Sequence, residues 1–200
     1  EQALMARVLV ATANLHIRVR HKTVIDGIAD RAIELLRRFS DQPGMGLWLV
    51  LAGGLRRRPG RVQPEAEELI NAGLRSLERE GDIWGIGYAL YEFGTLQHMQ
   101  MRYAEARETL NRSLYYFEKV GQPLSIAFVF EMLAENMQTL GNYDAARDYY
   151  SRQIGPLREL GMLSEAQNVA VGLEMLSQRG RLTNITVIHE GMERLRTAGD

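Results

Sequence analysis

Glu78-Arg-Glu-Gly-Asp82 returns in kind forty residues later as Glu118-Lys-Val-Gly-Gln122, and forty after that as Arg158-Glu-Leu-Gly-Met162. Arg196-Thr-Ala-Gly-Asp200 follows, its glycine thirty-eight residues further on. Arg38-Phe-Ser-Asp41 lies about forty residues before the first copy, with Ser40, forty-one before Gly81, in the glycine's place. A charged turn ending in glycine is the signature of a helix that stops in the left-handed region, which glycine enters without a Cβ penalty. A fixed period of this length marks a repeat architecture.

Helix starts follow each stop. Asp82 suits an N-cap, Pro123 a first helical position, and Ser164-Glu-Ala-Gln167 reads as a capping box. A second break falls inside each repeat: Arg20-His-Lys22, Pro59-Gly60, Gln100-Met-Arg-Tyr103, Gly141-Asn-Tyr143 and Gly180-Arg-Leu182. Each repeat is therefore two helices joined by a tight turn. The first helices are expected over about 3–20, 44–57, 84–100, 123–140 and 163–179, and the second over about 23–39, 64–80, 103–120, 143–160 and 182–198. Ala106, Leu110, Leu114 and Phe117 form an apolar stripe at helical spacing, and no strand-like alternation occurs. Gly155-Pro156 predicts a kink or an early end near Ile154, because proline removes a backbone bond.

Composition agrees with a folded chain. Of the 200 residues 46% are hydrophobic and 24% charged, enough apolar surface for a sizeable core. There is no cysteine, which excludes disulfides and thiolate chemistry and fits a reducing, cytoplasmic setting. The longest apolar run, Leu47 to Leu55, is far short of a membrane span, so no membrane partner is expected. Net charge is −1, but residues 1–61 carry +6 and residues 62–200 carry −7. The chain opens on Glu1 without a signal pattern and is expected to be a segment of a longer protein.

Small residues at set spacing carry a family resemblance. Gly94 pairs with Ala106 twelve residues later, with Leu110 following; Ala134 pairs with Ala146, with Leu133 before and Tyr150 after. With the turn Gly141-Asn-Tyr-Asp-Ala-Ala146, this pattern resembles the tetratricopeptide repeat family. Physically, closely crossing helices need small side chains at the contact, and a larger one costs roughly 1–3 kcal/mol. The resemblance is best over residues 84–160 and weakest over 1–58. In the last repeat Gly172-Leu173 and Ile185 replace the small pair. It implies an all-α, right-handed α-α superhelix of about five antiparallel helix pairs in a single array. The repeats would run over about 1–41, 42–81, 82–121, 122–161 and 162–200.

The forty-residue period and the wording of residues 85–114 resemble the long-repeat arrays of large bacterial signalling proteins, including regulators of the maltose-activator type. That implies a non-catalytic domain that docks a protein or peptide, or senses a small ligand, in its concave groove. A free-standing adaptor is the alternative. The groove residues it implies are Tyr88, Tyr91, Thr95 and His98 in one repeat and Phe128, Glu131, Glu135 and Gln138 in the next, with Leu47 and Val50 before them. Aromatic and acidic groups there suit a cationic or amphipathic partner, not the acidic peptide terminus that chaperone-binding members clamp. Open array ends imply exposed apolar surface and self-association.

Other chemistry finds little support. His16, His21, His98 and His189 form no metal-binding motif, and no metal or cofactor is expected. Gly85-Ile-Gly87 lacks the strand and third glycine of a dinucleotide fingerprint and reads as a helix start. No P-loop and no nucleophile elbow occurs, so no enzyme is expected. Arg56, Arg57, Arg58 and Arg61 form the one basic cluster; the bland reading is a solvated helix end, and the alternative is docking to nucleic acid or an acidic partner.

Overall fold

A computed structural model of the chain describes residues 2–18, 22–39, 42–56, 64–174 and 176–177. Within them the ordered elements are all helical. They are α1 (Gln2–Arg18), α2 (Lys22–Arg38), α3 (Gly46–Leu55), α4 (Pro64–Glu80), α5 (Ile83–Met99), α6 (Tyr103–Val120), α7 (Pro123–Thr139) and α8 (Tyr143–Glu159). A further helical stretch covers 163–174. Consecutive helices pair as expected: α1 with α2, α3 with α4, α5 with α6 and α7 with α8. The expected second helix at 182–198 lies outside the described residues.

The helices form two compact units, Glu1–Gln122 and Pro123–Asp200. In the first, α1, α2 and α3 enclose a core that includes Ala6, Val10, Ile33, Leu36 and Leu49. Val50, Leu77, Ile86, Ala89 and Leu90 join α3, α4 and α5. In the second, Ala127, Leu157 and Ala166 are buried together, with Ile154, Met162 and Val169 against them.

The period is visible in the backbone. Gly81, Gly121 and Gly161 all have φ near +70°, as do Gly44 and Gly141. Asp82 caps α5 by accepting from the Gly85 amide at 2.9 Å, and Asn142 caps α8 by accepting from the Ala145 amide at 3.1 Å. Each such cap contributes about 1 kcal/mol. Pro123 opens α7 as expected. Ser164 falls inside the first turn of the last helical stretch, which already begins at 163, so it does not cap it.

Close crossings hold each pair together. A Cβ added at Gly94 would lie 2.7 Å from Leu110 Cγ, and one at Gly87 3.1 Å from Phe117 Cε1. Buried Ser113 reinforces this contact by donating to the Gly87 carbonyl at 2.7 Å. The same pattern occurs in α3 and α4, where the sequence had offered only helix length and period. There a Cβ at Gly53 would lie 2.6 Å from Ile70 Cγ1 and 2.9 Å from the Ala66 carbonyl, and one at Gly46 2.8 Å from Leu77 Cγ. In α7 the matching small residues, Ala127 and Ala134, are fully buried, as is Ala146 in α8.

The early end expected at Pro156 does not occur, and α8 continues to Glu159. The proline stands near the last turn, so only one intrahelical bond, to Arg152, is forgone. Its own carbonyl accepts from the Leu160 amide at 3.2 Å. Gly155 beside it has nothing within 4 Å of where a Cβ would stand.

At the outer face of α1, Leu4, Met5 and Val8 are all more than half exposed. Met5 corresponds in register to Gly85, which lies against Leu77 of the preceding α4. No described helix takes that place against α1.

Two measurements by chemical denaturation test this account. Gly53→Ala or Gly94→Ala should destabilise by ~1–3 kcal/mol, because overpacking outweighs alanine's helix preference, while Gly155→Ala in open space should stabilise by ~0.5–1 kcal/mol. All three changes having the same sign would contradict the packing role. Met101 is the sole non-glycine residue with positive φ (64°) among those described, at the place Gly141 takes one repeat later. Its side chain is 65% exposed and packs on little, so Met101→Gly should raise stability by ~1 kcal/mol.

Candidate functional site

Each set of sequence-derived site residues falls on one first helix: Tyr88, Tyr91, Thr95 and His98 on α5, and Phe128, Glu131, Glu135 and Gln138 on α7. The helices belong to different units.

On α5 the residues form an aromatic ladder. Tyr88 stacks on Trp84, with ring centroids 5.4 Å apart and planes within 4°, and Tyr91 follows at 6.5 Å. Trp84 in turn meets the buried Phe117 of α6 at 6.4 Å. Helical spacing makes this stack possible, since residues four apart lie one above the other. Such pairs are worth about 0.5–1.5 kcal/mol each beyond burial, and all three rings remain partly exposed. His98 meets the Tyr103 ring edge-on at 5.3 Å.

Two expected residues are not available to a ligand. Thr95 is only 8% exposed, and its hydroxyl donates to the Tyr91 carbonyl at 2.8 Å. Val50 is fully buried in the core between α3, α4 and α5, and Leu47 is partly buried against the same cluster. The cause is the composition of α3: Gly-Leu-Trp-Leu-Val-Leu-Ala-Gly-Gly-Leu is apolar all round and packs against α1, α2, α4 and α5.

On α7 the exposed stripe is apolar at its start and acidic at its end. Leu124 and Phe128 are 38% and 44% exposed. Glu131 and Glu135 follow at i,i+4 spacing. Burial, and then the nearby Glu135 charge, push the Glu131 carboxyl above the ordinary glutamate range. Tyr150 of α8 approaches this pair and places its hydroxyl 3.5 Å from Gln138 Oε1. Its phenol is raised by burial and by both carboxylates. Nearby arginines are engaged elsewhere. Arg147 pairs with Asp144 at 3.0 Å, and Arg152 lies 4.5 Å over the Phe130 ring.

Of the basic cluster, Arg57, Arg58 and Arg61 lie outside the described residues. Arg56 is held within the fold by ion pairs to Asp30 and to Glu65, the latter at 3.1 Å. A second internal network centres on Arg102, which bonds Glu105, Gln100 at 3.1 Å and Glu67 at 3.3 Å. The Glu105 pairing, largest of its influences, raises the Arg102 guanidinium, and Glu105 is lowered in return. Along α6, a shallow depression is lined by Arg107, Asn111, Arg112 and Tyr115. Trp84 and this α6 face were not singled out from sequence, and Tyr150 was named only as part of the repeat pattern.

Among the described residues no group of three or more His, Asp or Glu side chains is placed to hold a metal ion, and no helix is long and apolar enough to cross a membrane. No family model matches the chain. No curated protein matches it in sequence either. Among solved structures it is similar to the crystal structure of aspartyl phosphate phosphatase F from Bacillus subtilis, with a TM-score of 0.64 and 15% identity. That likeness covers 98% of this chain and 53% of the other, so the chain spans about half the length of that protein. At this identity it shows the fold alone: an all-α array of helical hairpins.

The Glu131 geometry has a consequence for pH. A carboxyl raised in the folded state binds its proton more tightly there than when unfolded. Its ionisation therefore costs stability as pH rises from the ordinary glutamate range through the raised value. Glu131→Gln should stabilise the chain at neutral pH, and the gain should vanish in acid below the unfolded glutamate value. Urea melts of both proteins across that range check it, and a gain independent of pH would exclude the carboxylate as the cause.

Proposed function

We propose that this chain is a non-catalytic interaction domain of a larger bacterial signalling or transcriptional regulator. It binds a protein or peptide partner through the outward stripe of its first helices. The supporting observation is the register of the repeat. Tyr88 and Phe128, Tyr91 and Glu131, Thr95 and Glu135, and His98 and Gln138 stand forty residues apart. At the crossings the two repeats carry like residues: Gly87 and Ala127, Gly94 and Ala134, Ala106 and Ala146. At the pairs exposed or only partly buried in both repeats, Tyr88 and Phe128, Tyr91 and Glu131, and His98 and Gln138, they differ, so packing there is permissive and the chemistry is free to serve recognition.

A solved structure with this fold is named a phosphatase. The stripe here offers stacked rings and a carboxylate pair, which suit binding rather than phosphoryl transfer. Adaptor and sensor roles both use the same surface.

Capture of partners from a bacterial lysate, identified by mass spectrometry, tests the assignment. The combined changes Tyr88→Ala, Tyr91→Ala, Glu131→Lys and Glu135→Lys should abolish specific capture while helical content and cooperative melting persist. Undiminished capture by a folded variant would move the binding surface elsewhere.

A further inference from the structure

We infer that the exposed face of α7 docks an α-helical segment of a partner that carries a lysine or arginine one turn from an apolar side chain. The inference rests on reading this face as an interaction surface and adds the kind of partner it takes. Three observations carry it.

First, the face is apolar where it begins. Leu124 and Phe128 are exposed, one turn apart, with no neighbouring side chain covering them fully. Second, the next two turns carry Glu131 and Glu135 with no ion-pair partner among the described residues. α7 itself contains no lysine or arginine. The nearest arginines of α8 are committed, Arg147 to Asp144 and Arg152 to the Phe130 and Tyr149 rings. Among the described residues, then, partly buried Glu131 stands one turn from a second, exposed carboxylate with no cation paired to either, and a cation seated between the two relieves their repulsion. Third, partly buried Tyr150 of α8 borders the same stripe, with its hydroxyl 3.5 Å from Gln138 Oε1, one turn beyond Glu135.

The spacing selects a helix. Along α7, Phe128, Glu131 and Glu135 rise by about 4.5 Å and then about 6 Å, the steps of three and four helical residues. A partner helix lying alongside presents side chains at those same steps. Side chains on one face of an extended segment recur at about 6.6–6.8 Å, out of step with the stripe. Charge selects the sign, because an acidic partner would add a third negative group to an already repelling pair.

The test is selection of a displayed library of single-helix peptides, randomised along one face, against the 200-residue chain. The Glu131→Gln/Glu135→Gln chain serves as counter-target. Enriched peptides should carry Lys or Arg three or four residues from Leu, Phe or Met. They should lose about tenfold or more in affinity for the double glutamine chain, the loss expected for a charge-assisted contact. Binding should weaken with salt for the native chain but not for that variant. Phe128→Ala should weaken binding and leave its salt dependence intact. Enrichment of acidic or neutral peptides, or none that separates the two chains, would overturn the inference. It would leave the broader interaction role standing if the four-residue variant described above still abolishes partner capture.

Discussion

Close approach of paired helices at small side chains is the constraint from which the remaining features follow. Gly46 and Gly53 in α3, Gly87 and Gly94 in α5, and Ala127 and Ala134 in α7 are each seven residues apart, two turns along one helix face. Opposite them stand Ala66, Ala106 and Ala146, all fully buried. Because a Cβ at Gly53 or Gly94 would collide with the partner helix, each pair has one allowed rotation about its axes. That rotation fixes what the first helix shows outward. The stripe of residues 84, 88 and 91, and its counterpart 124, 128 and 131, lies beside the crossing rather than behind it, so the second helix borders the exposed face. Tyr150 therefore reaches the α7 glutamates, and Phe117 supports Trp84.

Backbone requirements were the most legible part of the sequence. A left-handed residue after a helix is nearly reserved for glycine, so Gly81, Gly121 and Gly161 announced the period directly. Helix limits followed within one or two residues, the usual uncertainty for frayed ends. In the α3–α4 repeat the twelve-residue spacing to Ala66 falls on Gly54, whereas the glycine pressed against Ala66 and Ile70 is its neighbour Gly53, thirteen residues away. Proline 156 misled in the other direction, since its cost depends on how many helical bonds lie beyond it, and here few do.

The stripe itself was legible in register and only partly in content. Phe128, Glu131 and Gln138 stand on the exposed or half-buried side as expected. Thr95 does not, because a helical threonine can satisfy its hydroxyl on its own preceding turn and then tolerates burial. Val50 failed for a different reason: a helix apolar on every side gives no signal of which side is outward. Residues supplied from the second helix, Tyr150 above all, carry no mark in the first helix's periodicity. They emerge only from the hairpin's packing.

The carboxylates of α7 are therefore best understood as belonging to the surface. A fold gains nothing from placing two like charges one turn apart where burial already disfavours ionisation. Nor does the hairpin need an acid there, since α5 accepts tyrosine at the same register and forms the tighter ladder. For two of the arginines the opposite holds. Arg56 and Arg102 each bridge acidic groups on other turns or helices, and their charges are spent inside the fold. Internal pairing accounts for those arginines without any partner, whereas the Glu131 and Glu135 charges find no cation within their own unit's described residues. That difference sets the acidic stripe of α7 apart from Arg56 and Arg102, and it is the ground for the partner proposed there.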